Sequence, residues 1–201
     1  MVKKYIFLIT IYGFILSSCT NDQSLFRLIP SSDSGLEFIN ALNSTDSLNV
    51  LSFEYFYNGA SVSVGDFNND GLSDLFFSGN AVSNKLYLNK GKLKFEDVST
   101  TAGIENIGVW NSGVAVGDVN ADGFLDIYVC TNAGEDSVGR ANFLFINTGI
   151  NENGIPLFQN RAKEYGVEEL GYSQNAAFLD YDLDGDIDLY ILTNFVKQEG
   201  H

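Results

Sequence analysis

The chain has 201 residues, with 11 Lys and Arg against 26 Asp and Glu and a net charge of −15. That balance excludes a nucleic-acid or anionic-lipid surface, either of which needs a basic face. Apolar residues make up 45%, too many for a disordered chain, and the single histidine is the last residue, His201, so histidine-based catalysis is excluded from this span.

The first element is an export signal. Lys3 and Lys4 give a positive start, and Tyr5 to Leu16 is an uncharged apolar run of 12 residues, too short to span a bilayer. Ser17 and Ser18 suit a peptidase pocket and lead into Cys19. The stretch resembles a bacterial lipoprotein signal with its lipobox. That resemblance implies cleavage before Cys19 and acylation of its thiol, and several acyl chains anchor stably. Residues 1–18 are therefore expected to be a signal peptide, 19–34 a flexible tether and 35–201 the folded part. The other cysteine, Cys130, lies in the apolar run Ile127-Tyr128-Val129-Cys130 and reads as a small buried hydrophobe.

The folded part is rich in aromatics and glycine and poor in proline, which points to strands joined by turns. Three nine-residue segments align without gaps. They begin at Asp66, Asp118 and Asp180, 52 and 62 residues apart, and end at Asp74, Asp126 and Asp188. An apolar run precedes each, at Val62, Val114 and Ala176, and another follows, at Leu75, Ile127 and Leu189. The first two copies continue with Asn84–Asn89 and Asn142–Asn147, then with Phe95-Glu96-Asp97 and Phe158-Gln159-Asn160. Four short strands per unit of about 50 residues is the arithmetic of a propeller blade. The units span about 57–98, 109–160 and 171–201. Trp110 stands at a unit boundary and reads as packing between blades, with a sugar-stacking platform as the alternative.

Residues 35–42 resemble the fourth element of the other units, so they are expected to be the outer strand of a blade completed by later parts of the chain. Two and a half blades do not close, since propellers need about four or more. The sequence is therefore expected to be part of a longer, all-β chain whose loops lie between the first and second strands of each antiparallel blade.

Each aligned segment suits a hard cation. Side-chain oxygens at positions 1, 3, 5 and 9 converge, the carbonyl at position 7 joins them, and glycine at position 6 permits the turn. The expected ligands are Asp66, Asn68, Asp70, Leu72 and Asp74 in the first loop. They are Asp118, Asn120, Asp122, Phe124 and Asp126 in the second, and Asp180, Asp182, Asp184, Asp186 and Asp188 in the third. Leu72, Phe124 and Asp186 would contribute their carbonyls. An oxygen-only set in a flexible shell fits Ca2+ better than Mg2+ or zinc, at about three sites. An EF-hand is excluded, because position 12 is Phe77, Val129 and Ile191 where that motif needs Glu.

These loops in blade-length repeats resemble the FG-GAP/VCBS repeat, and integrin α-subunit propellers carry the same type of calcium loop. Tyr55-Phe56-Tyr57-Asn58-Gly59, Gly65 to Gly71 and Asn84 to Gly91 are similar to the VCBS-repeat lipoproteins of Bacteroidota, with relatives of the cartilage acidic protein type. The resemblance implies a seven-bladed propeller and calcium at the three loops. It implies a protein or glycan ligand, as integrins use their propellers for adhesion, and an outer-membrane or cell-surface location. An accessory role in glycan or nutrient uptake is the alternative, and the non-catalytic part of a larger enzyme is another. No enzymatic site is expected in this span, because Glu168 and Glu169 and their like sit in polar turns.

Overall fold

The computed structural model describes residues 25–46, 48–53, 55–106, 109–133 and 140–194. The signal stretch, Cys19 and the last residues of the third unit lie outside them. The chain divides into two compact units, Met1–Pro30 and Ser31–His201, and every described strand belongs to the second.

One helical turn, α1 (Ser31–Ser34), precedes the strands. Then come β1 (Val62–Gly65), β2 (Asp74–Phe77), β3 (Lys85–Asn89) and β4 (Phe95–Asp97), with α2 (Ser99–Ala102) after them. The second unit of the repeat supplies β5 (Trp110–Gly117), β6 (Asp126–Ala133), β7 (Phe143–Ile150) and β8 (Pro156–Asn160). The third supplies β9 (Tyr172–Leu179) and β10 (Asp188–Asn194). The sheets are antiparallel, in the order β1-β2-β3-β4, β5-β6-β7-β8 and β9-β10. The architecture is all-β, in four-stranded sheets consistent with propeller blades. The first strands are neighbours, β5 touching both β1 and β9.

Side-chain alternation makes the middle sheet two-faced. Ile127, Val129 and Phe145 enter one core with Phe67, Phe76, Leu86 and Leu88 of the first unit. The intervening Tyr128, Cys130, Leu144 and Ile146 enter a second core with Ala176 and, partly buried, Phe178, Leu189 and Ile191 of the third. Successive strand residues point to opposite faces, so a sheet covered on both sides reads as a continuous apolar run. Hydroxyls and amides stitch the sheets together. Ser78 Oγ donates to Ser112 O (3.1 Å), Ser112 Oγ to Ser173 O (2.7 Å) and Asn147 Nδ2 to Phe67 O (2.9 Å).

The last aspartate of each of the first two acidic loops is a structural pin. Asp74 is fully buried; its two oxygens accept from Phe67 N (3.0 Å) and Asn89 N (2.8 Å). Asp126 repeats this with Val119 N (2.9 Å) and Asn147 N (2.8 Å). One carboxylate thus ties the start of the loop to the third strand.

The leading segment packs on the first sheet. The tether assigned to 19–34 includes α1, a helical turn in which Ser34 is buried and Ser31 O accepts from Gly35 N (2.7 Å). Residues 35–42 form no strand. They lie over the outer face of the first sheet, where Phe38 stacks on Phe77 at 5.0 Å and Asn40 exchanges amide bonds with Asn80 (2.6 and 3.0 Å). The physical reason is local: these contacts cap an apolar face holding the buried Tyr87, and no ladder partner stands beside the segment among the described residues.

Trp110 packs against Phe53 and Phe56 (ring centroids 5.3 and 5.5 Å) and is buried, as a boundary residue rather than an exposed platform.

Burial pushes the Cys130 thiol up to about 12 from 9.0. Between those values the unfolded thiol ionises and the folded one does not, so Cys130 lowers stability as pH rises through that window. The thiol is expected to resist a disulfide reagent in the native chain at pH 8 and to react at once in urea; equal rates in both would contradict the packing. Asp74→Ala strands two backbone N–H groups at about 1–3 kcal/mol each, so a loss of about 2–6 kcal/mol is expected in urea unfolding with chelator present. Asp188→Ala, whose half-buried carboxylate accepts only from Tyr181 N among the hydrogen bonds seen, should lose less.

Candidate metal centres

Each acidic loop leaves its first strand, turns within nine residues and enters its second. The turn is the same three times. Position 6 takes positive φ, at Gly71 (85°), Gly123 (90°) and Gly185 (98°). Position 4 does so too, at Asn69 (55°), Ala121 (57°) and Leu183 (62°). Left-handed backbone costs an L-residue about 1–2 kcal/mol, so Ala121 and Leu183 are held there by the rest of the loop.

The position-1 carboxylate fixes the turn. Asp66 Oδ1 accepts from Asp70 N (3.0 Å) and Oδ2 from Gly71 N (2.8 Å). Asp118 does the same with Asp122 N (3.1 Å) and Gly123 N (2.8 Å). Asp180 Oδ2 accepts from Gly185 N at 3.3 Å. Position 5 acts on the next bond of the turn: Asp70, Asp122 and Asp184 accept from the N–H of Leu72, Phe124 and Asp186 at 2.8, 2.9 and 3.1 Å. The fifteen residues expected from the sequence therefore fall into three groups, each drawn into one tight turn.

The donor sets fit a hard cation on three observations. In the third loop the nearest carboxylate oxygens of Asp180, Asp182 and Asp188 all lie within 4.8 Å of one another. Oxygens on a calcium shell of about 2.4 Å radius are at most about 5 Å apart. In the first loop Asn68 is buried and its Oδ1 has no hydrogen-bond partner, while its Nδ2 donates to Asp70 Oδ2 (3.1 Å) and Gly154 O (3.1 Å). An unpaired oxygen at a ligand position is what a cation would take up. Third, burial pushes the Asp74 and Asp126 carboxyls above the usual carboxylate range, partly offset by their backbone N–H bonds, and the neighbouring acids add to the rise. A positive charge in the loop would oppose that penalty.

The three loops are not equal. Asn120 Oδ1, unlike Asn68 Oδ1, accepts from Asp122 N (3.2 Å). The third loop carries Asp182 in place of asparagine and is more exposed. There the Asp186 backbone N–H, and then its side chain, hold Asp184 below the ordinary aspartate value, while the side-chain hydrogen bond to Asp184 holds Asp186 above it.

Sequence reasoning missed Asn89 and Asn147, whose N–H groups complete the buried aspartates. Their signal was present, since each closes the Asn-bounded run that forms the third strand of its unit. It also missed the left-handed position 4, where Asn, Ala and Leu share no residue type.

Residues 66–129 match the family described as FG-GAP-like repeat. Integrin alpha-8 of Mus musculus is 33% identical over 141 residues, covering 60% of this chain and 13% of that protein. Integrin alpha-8 of Homo sapiens matches at the same identity and coverage. Cartilage acidic protein 1 of Xenopus tropicalis is 32% identical over 77 residues, covering 38% of this chain and 12% of that protein. The chain thus spans about an eighth of the length of these relatives. It carries an FG-GAP-like repeat, on the span that holds its first two acidic loops.

Proposed function

We propose that this chain is a calcium-stapled β-propeller segment of an exported lipoprotein, and that it binds a protein or glycan at the cell surface. The observations that carry the calcium reading are the convergence of the Asp180, Asp182 and Asp188 carboxylates in the third turn and the buried, unpaired Asn68 Oδ1 in the first. Calcium would be held by Asp66, Asn68, Asp70, Asp74 and the Leu72 carbonyl, and by the matching residues of the other loops. The ion supplies positive charge. The chain's own residues do the rest: position 1 holds the turn closed, and position 9 transmits it to β3 and β7.

Binding rather than catalysis is supported by how the acids are used, since the clustered carboxylates are committed to turn geometry. The likeness to integrin α subunits supports an adhesive platform. Export and anchoring rest on the lipobox ending at Cys19, and among the described residues no helix is long and apolar enough to cross a membrane.

Calcium at 100-fold over Kd at one site stabilises the folded state by about 2.7 kcal/mol. At about 2–4 °C per kcal/mol for a domain of this size, saturating calcium should raise the melting temperature by about 5–10 °C. EDTA should reverse the rise, and magnesium should reproduce little of it. An unchanged melting curve would show that the loops are cation-free turns. For the anchor, Cys19→Ala should leave the precursor uncleaved and unlabelled by radioactive palmitate in the producing bacterium. Normal labelling of that variant would refute acylation at Cys19.

A further inference from the structure

At the end of the strands opposite the acidic loops lies a cavity of about 270 Å3. Equivalent positions of all three units build its wall. Ala60-Ser61 lead into β1, Ser112-Gly113 lie in β5, and Gln174-Asn175 lie in β9. Asn80 and Asn132 join them, each six residues beyond the buried aspartate of its unit.

The strands are deformed there. The β5 register slips between Asn111 and Val114, which takes Ser112 and Gly113 out of the ladder. In β9, Asn175 and Ser173 pair with successive residues of β10, which takes out Gln174. Such bulges re-aim side chains beside functional sites. Gly113 admits the close approach: a Cβ on it would lie 2.5 Å from the Cα of Asn175.

The chemistry of the wall is distinctive. Among the described residues no ionisable side chain lines it, in a chain with 26 acids. Carboxamides dominate, and two of them are incompletely used. Asn80 is satisfied, donating to Asn111 O (2.8 Å) and accepting from Asn40. Asn132 occupies the same place in the second unit, is 1% exposed, and has an Oδ1 with no partner. Gln174 Nε2 is buried without a partner as well. An unmet buried polar atom costs about 1–3 kcal/mol, and here an unpaired acceptor and an unpaired donor, both buried, belong to residues that line one cavity. Their complement is a small uncharged group that donates and accepts at once, as sugar hydroxyls do. The volume lies just under the roughly 300–1,000 Å3 of drug-sized sites, which suits one or two sugar rings. A peptide also donates and accepts, but its apolar side chains would meet amides and serines.

We propose that this cavity binds a neutral saccharide unit of a glycan, held by Asn132 and Gln174. The proposal deepens the binding role above and rests on it. Trp110 contributes to the wall from a buried position and is not a stacking platform.

The test applies the full chain, in saturating calcium, to an array of neutral, sialylated and sulfated oligosaccharides, with hits titrated by calorimetry. Neutral structures are expected to bind and acidic ones to fail. Asn132→Leu and Gln174→Leu should each weaken binding at least tenfold. Ala60→Trp, which fills the cavity from the first unit, should abolish it even if either amide variant misfolds. All variants that fold should keep the calcium-dependent rise in melting temperature. Absence of any neutral hit, preference for acidic glycans, or full binding by Ala60→Trp would overturn the proposal. A calcium shift without glycan binding would remove this site and leave the calcium reading standing.

Discussion

A buried carboxylate at the end of each of the first two acidic loops sets the geometry of everything around it. Asp74 lies between the N–H groups of Phe67 and Asn89, which belong to a loop and to the strand beyond the next. A carboxylate can accept from both at once; an amide side chain offers one oxygen and would turn its NH2 toward the other donor. The two bonds only partly offset the cost of burying the charge, so the carboxyl is held above its ordinary range. That residual penalty couples fold to chemistry: the group that positions β1, β2 and β3 is also the group that a cation would relieve. Asp126 repeats the arrangement in the second unit, with the same partners by position.

The middle sheet shows what such a repeat demands of its neighbours. Ile127 and Val129 belong to one core, Tyr128 and Cys130 to another. No face is left for solvent, which is why the run carries no polar alternation. The first sheet has a neighbouring sheet on one side only, and there residues 35–42 supply Phe38 as a cover for Phe77. The third sheet leaves Leu179, Tyr190 and Leu192 exposed.

Much of this was legible in the sequence, for identifiable reasons. Nine-residue spacing with glycine at position 6 encodes a turn through side-chain oxygens, and it marked all three loops. Apolar runs on either side marked β1, β2, β5, β6, β9 and β10. What escaped detection lacks a residue-type signature. Asn69, Ala121 and Leu183 share a left-handed backbone that belongs to the turn and not to any one side chain. Residues 35–42 carry the Phe38 pattern of a fourth element, and among the described residues they are held by Phe38 on Phe77 and by Asn40 with Asn80. The amide-lined cavity was invisible because its residues converge from three units, and a pair such as Gln174-Asn175 has no period of its own.

The two ends of these sheets differ in charge for a common reason. Five residues of β-strand, about 16 Å, separate Gly113 from Asp118. At the loop end, strands diverge into turns open to solvent, where carboxylates can be hydrated or share a cation. At the other end the first strands of successive units converge closely enough that a Cβ on Gly113 would strike Asn175. An acid placed there would be desolvated beside its own repeats, with no room for the hydrated turn that the loops provide. Carboxamides fill the same positions without that repulsion, and they leave Asn132 Oδ1 and Gln174 Nε2 in reserve. A chain with a net charge of −15 thereby keeps a neutral polar rim. Asp126 and Asn132 stand at opposite ends of one continuous strand, β6, so the same ladder that fixes the acidic turn also fixes the place of that rim.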